Sequence, residues 1–173
     1  MNEKKIVLEY TGGMDTSVIS KWLEAEQGYE VIAAYYNYGQ QADIAELKKK
    51  ALLAGAKKFC VIDLNKNRVD IQCKESIQRE LTALAQIEGA TCVAFTQTNV
   101  GSATEALMAE MAPELNIVEP FETCWIQSRE DQVEFLKKHH VPVGIAQKEQ
   151  VLRNDFNAFC DWHKRRDVNW INY

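Results

Sequence analysis

The sequence predicts an α/β fold: a parallel sheet of five strands with helices on both faces. Three observations carry that prediction. Short apolar runs alternate with longer segments of helical periodicity along the whole chain, the order from which βαβ units are built. The runs are nearly all apolar rather than alternating, as strands buried on both sides must be. Glycine stands just past several helical segments, where a helix stops. Crossovers between the strands should be right-handed.

Each element has its own justification. KIVLEY, Lys5 to Tyr10, reads as the first strand. Asp15 to Glu26 reads as a helix, because Val18, Ile19, Trp22 and Leu23 recur at helical spacing and Gly28 follows. EVIAAYY, Glu30 to Tyr36, is the second strand. NYGQQ then turns the chain into a helix from about Ala42 to Ala54, closed by Gly55. Lys58 to Leu64 is the third strand, and a long helix is expected from Val69 to Glu88, closed by Gly89. TCVAFT, Thr91 to Thr96, is the fourth strand. Ala103 to Met111 should be helical, and Asn116 to Val118 begins a short fifth strand. In SRED, Ser128 stands three residues before Asp131, close to a capping box, and opens a helix reaching His140. Lys148 to Arg166 reads as a last amphipathic helix. The expected division is one domain over residues 1–145 and a C-terminal helical extension over 146–173.

Composition narrows the class of function. The net charge of -5 does not favour a broad nucleic-acid surface or an anionic membrane. No apolar run is long enough to span a bilayer, and MNEKK leads into a strand-sized run without a signal-peptide core. The five cysteines, Cys60, Cys73, Cys92, Cys124 and Cys160, include no C-x-x-C pair. Buried thiols in a reducing cytoplasm are expected, and a structural zinc site is not.

The stretch that points to chemistry is YTGGMDTS, Tyr10 to Ser17, between the first strand and the first helix. In an open α/β sheet, ligands bind beyond the carboxyl ends of the strands. Gly12 and Gly13 let the backbone turn tightly and approach a ligand. The amides that open the helix favour an anion, and Thr11, Thr16 and Ser17 add hydroxyls. Together they make a cradle of pyrophosphate size. The loop is neither a Walker loop nor a G-x-G-x-x-G fingerprint. An ordinary glycine turn with a helix cap would use the same residues.

TGGMDTS resembles the SGGxDS/T signature of the PP-loop ATP pyrophosphatases. These enzymes cleave ATP between the α and β phosphates, adenylate a carbonyl oxygen and let a nucleophile displace AMP. IVLEYTGGMDTSVISKWLEAEQGYEVIAAYYNYGQ is similar to the opening of the nucleotide-binding half of argininosuccinate synthase. LLAGAKKFCVIDL, ALAQIEGATCVAF and SREDQVEFLKKHHVPV continue the likeness, which covers most of residues 4–143. YNYGQQADIAE is also similar to a segment of 7-cyano-7-deazaguanine synthase, without that segment's histidine or that family's cysteine cluster. The fold implied is the adenine nucleotide alpha-hydrolase-like (HUP) form of the Rossmann-like sheet.

The departures bear on the substrate. Leu64 leads almost directly into the next helix, so the insertion that holds citrulline in argininosuccinate synthase has no counterpart. That family's TGKGND is TNVGSA here, Thr98 to Ala103, with Ser102 and Ala103 in place of its asparagine and aspartate. The sequence also ends before the family's large C-terminal synthetase domain. Argininosuccinate is therefore not the expected product.

The resemblance implies roles for single residues. Thr11, Gly12, Gly13, Asp15, Thr16 and Ser17, with Tyr10 at the head of the loop, would surround the β and γ phosphates of ATP. Asp15 would orient the loop or hold Mg²⁺ through water; a charge at a helix N-terminus is the alternative. Tyr35 and Tyr36 would lie near adenine, or be ordinary strand aromatics. Thr96, Thr98 and Gly101 would face the α phosphate and ribose. Cationic groups are needed near the reacting phosphorus. Lys74, Arg79 and Arg129 are candidates, Arg129 first, set against the plainer reading of each as a solvated helix charge. The catalytic candidates are thus Asp15, Ser17 and Arg129. Gln40, His139, His140 and His163 read as surface residues and Cys124 as a buried thiol rather than a sulfur donor. KRRD, with Trp162, Trp170 and Tyr173, ends a solvated helix, covers the cleft or pairs subunits.

Three functions follow from these readings. The first is a minimal ATP pyrophosphatase acting on a small carbonyl or amide substrate. The second is an ATP- or AMP-binding module without turnover. The third is a 7-deazaguanine-type or tRNA-modifying adenylase, against which the acidic balance weighs. A homodimer is expected by analogy only.

Overall fold

The computed structural model describes residues 4–66, 69, 74–95 and 101–142. Five strands form one sheet: β1 (Lys4–Glu9), β2 (Tyr29–Asn37), β3 (Lys58–Asp63), β4 (Cys92–Ala94) and β5 (Asn116–Val118). All neighbours pair in parallel, in the order β3-β2-β1-β4-β5. Six helices are described: α1 (Met14–Ala25), α2 (Ile44–Leu53), α3 (Lys74–Ile87), α4 (Gly101–Met111), α5 (Pro120–Thr123) and α6 (Arg129–Lys138). The expected five-stranded parallel sheet is what the chain forms.

The strand pleat divides the core in two. On one face Ile6 and Leu8 of β1, with Val31 and Ala33 of β2, meet Val18 and Trp22 of α1, Ala51 of α2 and Phe135 of α6. On the other, Val7 and Ile32 meet Leu81 of α3 and Met108 of α4. Alternate residues of each central strand serve opposite layers, which is why those strands are apolar throughout. The face changes where the chain stops adding strands on the β3 side and crosses to β4, as right-handed crossovers require.

Most boundaries fall close to the sequence reading. Gly28, Gly55 and Gly89 follow their helices with positive φ. The third helix was expected from Val69; it is described from Lys74, and residues 70–73 lie outside the described residues. The Val69 amide donates to the Leu64 carbonyl at 2.9 Å, closing a turn before the helix. α5 was not foreseen, since four residues are too few to show a helical period. At α6, Ser128 Oγ accepts from the Asp131 amide at 3.1 Å. The Asp131 carboxylate takes the Ser128 hydroxyl at 2.6 Å instead of reaching back to its backbone. The 146–173 extension lies outside the described residues, with the helix and KRRD segment expected there, His163, Trp162, Trp170 and Tyr173.

Candidate functional site: the loop between β1 and α1

β1 is where strand order reverses: β2 and β3 lie on one side of it, β4 and β5 on the other. The crevice beyond β1 and β4 is therefore the topological switch point, the usual ligand site of such sheets. The loop Tyr10–Gly13 leaves β1 there and runs straight into α1.

Gly12 sets its shape. Its φ is +81°, and a Cβ at that position would strike the end of the Leu47 side chain. Gly13 is the N-cap of α1 and has no side chain to cap it. The first helical bond runs from Ser17 N to Gly13 O at 3.0 Å. The amides ahead of it have no acceptor within the helix, and they carry the positive end of its dipole.

The hydroxyls form a closed ring. The Gly13 amide donates to Thr11 Oγ1 at 3.3 Å, and Thr11 and Thr16 share a bond of 3.3 Å. Thr16 Oγ1 donates to Gly13 O at 3.1 Å, and Ser17 Oγ donates to the same carbonyl at 2.9 Å. With Ser17 donating there, the buried Tyr10 hydroxyl, 3.0 Å from Ser17 Oγ, is the donor in that pair. Two hydroxyls and one amide thus hold the Gly13 carbonyl down, away from the mouth of the crevice.

Asp15 and its neighbour on α6 bring in a residue that sequence reasoning missed. Gln132 Nε2 donates to Asp15 Oδ1 at 3.0 Å. Gln132 is buried and joins the SRED helix to the loop. Arg129, on the same helix, is exposed and lines a shallow groove with Glu130, Val133, Glu134 and Lys137. Arg79 is exposed on α3.

At the end of β2, strand alternation separates the two tyrosines. Tyr35 lies on the α1–α2 side, stacked on Phe59 with centroids 6.3 Å apart. Tyr36 points to the α3 side, where burial first, then Glu9 and Glu80, hold its phenol well above the ordinary value. Gln40 organises this end. Its Nε2 donates to Tyr35 Oη at 2.6 Å and to Tyr36 O at 2.8 Å, and its Oε1 accepts from Tyr38 N at 2.7 Å. It folds the NYGQ turn onto the strand end, a role its place in a polar loop did not reveal.

On the β4 side, Gly101 opens α4, and Thr96 and Thr98 lie outside the described residues. The side chain of Lys74 lies outside them as well. The first turn of α4 is tied to α3 by a buried bond, Thr104 Oγ1 to Gln78 Oε1 at 2.7 Å. Cys124 is buried, and that burial raises its thiol pKa, the opposite of an activated thiolate. His139 is not simply a surface residue: its ring lies 4.5 Å from that of Phe135. Among the described residues there is no cluster of three metal-ligating side chains. None of their helices is long and apolar enough to cross a membrane.

Comparison with known proteins agrees with this architecture. Residues 5–82 match the family model described as the Arginosuccinate synthase N-terminal HUP domain. The argininosuccinate synthase of Alkaliphilus metalliredigens (strain QYMF) is 35% identical over 186 residues, covering 94% of this chain and 44% of that protein. That of Desulforamulus reducens is 33% identical over 183 residues, covering 92% of this chain and 45% of the relative. The chain thus spans less than half the length of these curated relatives. The first alignment is longer than the 173 residues of this chain, so that relative carries residues within the matched span that are missing here. With a five-stranded parallel sheet, a glycine loop at its switch point and this similarity along nearly the whole chain, the protein belongs to the PP-loop ATP pyrophosphatase family, alongside the nucleotide-binding domain of argininosuccinate synthase.

Proposed function

We propose that the chain binds ATP at the β1–α1 loop and cleaves it to AMP and pyrophosphate, adenylating a small carbonyl or amide substrate. The observation that carries this reading is the uncapped start of α1, reached through Gly12 in a left-handed conformation at the switch point. Amides at a helix start suit a pyrophosphate without any basic side chain. The hydroxyls of Thr11, Thr16 and Ser17 would exchange their bonds within the ring for phosphate oxygens. Adenine would lie against the end of β2, near Tyr35 and Tyr36, and the α phosphate would face Thr96, Thr98 and Gly101.

Mg²⁺ suits this donor set. It keeps several waters and needs only one or two carboxylates besides the phosphates. Asp15 supplies one, steadied by Gln132, at the same helix start. The ion would neutralise phosphate charge there. Arg129 remains the candidate cation, and its exposed position requires α6 or its side chain to approach the nucleotide.

The substrate is not expected to be the citrulline–aspartate pair, because the residues serving it in the family are absent or replaced. Ser102 and Ala103 also favour a second reading, in which nucleotide is held without turnover. Pyrophosphate release from Mg-ATP, with and without pools of small carboxylates and amides, separates the two. Release of AMP and pyrophosphate is expected. Nucleotide binding without AMP in any pool would favour the second reading. Unchanged ATP affinity in the Asp15→Ala, Ser17→Ala double variant would remove the loop from both.

A further inference from the structure

Granted Mg-ATP at the β1–α1 loop, on which this rests, we propose that Gln132 is a positioning residue. It fixes the Asp15 carboxylate for the cation and so makes cation binding at the loop depend on the seating of α6. Gln132 is only 8% exposed. Its companions on the buried side of α6 are Phe135 and Leu136, which pack into the core that holds Val18 and Trp22 of α1. An apolar side chain would fill such a place without the cost of burying a carboxamide. Gln132 offsets that cost by donating to Asp15 Oδ1, in the first turn of α1, at 3.0 Å.

The backbone holds Gln132 in place for this bond. Its amide donates to Ser128 O at 3.0 Å, so the turn that Ser128 caps is also the turn that presents Gln132. At the other end of α1, Trp125 Nε1 donates to Glu26 Oε2 at 3.0 Å. The segment that carries α6 is thereby fastened to both ends of α1, and Gln132 is the fastening at the loop end.

The kind of donor matters. A lysine or arginine in this place would add a positive charge beside the carboxylate and oppose a divalent cation. A carboxamide is neutral. It fixes the direction in which Asp15 faces and leaves the negative charge of Asp15 in place. Donors that hold a metal-binding carboxylate from behind typically change metal affinity about 10–100-fold when they are removed. The dependence is reciprocal: a cation at Asp15 tightens α6 by the factor that a seated α6 gains in cation affinity.

The test compares the full chain with Asp15→Ala, Gln132→Met and the double variant. Methionine keeps the unbranched length of glutamine and removes the donor. ATP affinity is measured by calorimetry across a Mg²⁺ titration. In Gln132→Met the Mg²⁺ needed for half the gain in ATP affinity should rise about tenfold, while ATP affinity in EDTA stays at the wild-type value. The double variant should need no more Mg²⁺ than Asp15→Ala alone. Without any ligand, the urea midpoints of the four chains should be non-additive, as for residues in contact. Gln132→Leu should repeat the Mg²⁺ shift with a branched side chain. An equal loss of affinity with and without Mg²⁺, or additive midpoints, would reduce Gln132 to a packing residue and overturn the proposal. So would a Mg²⁺ requirement that moves in Asp15→Ala but in neither Gln132 variant, which would leave the loop reading intact. A requirement unmoved by Asp15→Ala itself would instead remove Asp15 from Mg²⁺ binding, and Gln132 with it.

Discussion

Gly12 joins two constraints in one residue: a left-handed φ of +81° and no room for a Cβ beside Leu47. Gly12→Ala should cost about 1–3 kcal/mol from the backbone conformation alone, read as a lower urea midpoint at unchanged slope. Nucleotide affinity should fall with it, because the amides it aims would be displaced. The need for glycine here was legible, since two adjacent glycines between a strand and a helix have few other uses. The ring of hydroxyls on the Gly13 carbonyl was not. A sequence shows which residues can donate, but not that Thr16 and Ser17 already donate to one carbonyl. Gln132 was illegible for a different reason: its partner Asp15 is 117 residues away. Gln40, by contrast, acts within five residues of its partners. It was missed because a polar residue in a turn is the commonest kind of surface residue.

The α6 helix shows what an element contributes beyond its length. Its start is fixed by the Ser128 cap, and its end by bonds from His140 N to Lys137 O and from Val141 N to Leu136 O. Ser128→Ala should cost about 1 kcal/mol, and it should loosen Gln132, one turn on, from Asp15. Thermal melting reads the first effect, and ATP affinity the second. The C-terminal end makes the helix sensitive to pH. His139 Nε2 is buried without a hydrogen-bond partner among the described residues. Burial first, then Lys21 and Lys138, hold its imidazole below the ordinary value of 6.5. The unfolded chain therefore takes up this proton at a higher pH than the folded one. Stability from this group is full above pH 6.5 and declines as the pH falls through the folded value. His139→Gln should flatten the fall of the urea midpoint on the acid side of pH 6.5; a fall as steep as in the wild type would assign it to other groups. The cap was visible in SRED, whereas the enclosure of His139 depends on packing against Phe135.

At the scale of the whole molecule, the alternation of strand and helix was legible because it is a local pattern. Strand order was not, since it is decided by pairings such as Thr91 with Lys5, 86 residues apart. That order places the loop in a crevice rather than on a flank, and it gives ligand binding a global consequence. A ligand held only by the folded state stabilises the whole chain. ATP at about 100 times its Kd should add roughly 2.7 kcal/mol, or about 5–10 °C in Tm for a chain of this size. The division of that shift between parts of the ligand tests the cradle. If the amides at the start of α1 do the holding, inorganic pyrophosphate alone should raise Tm and adenosine alone should do little. Both the ATP and pyrophosphate shifts should shrink in the Asp15→Ala, Ser17→Ala double variant and in Gly12→Ala. They should persist in Arg129→Ala if that residue acts only after binding. The reverse pattern, a shift with adenosine and none with pyrophosphate, would move the binding energy to the β2 end, beside Tyr35 and Tyr36, and leave the loop a tight turn.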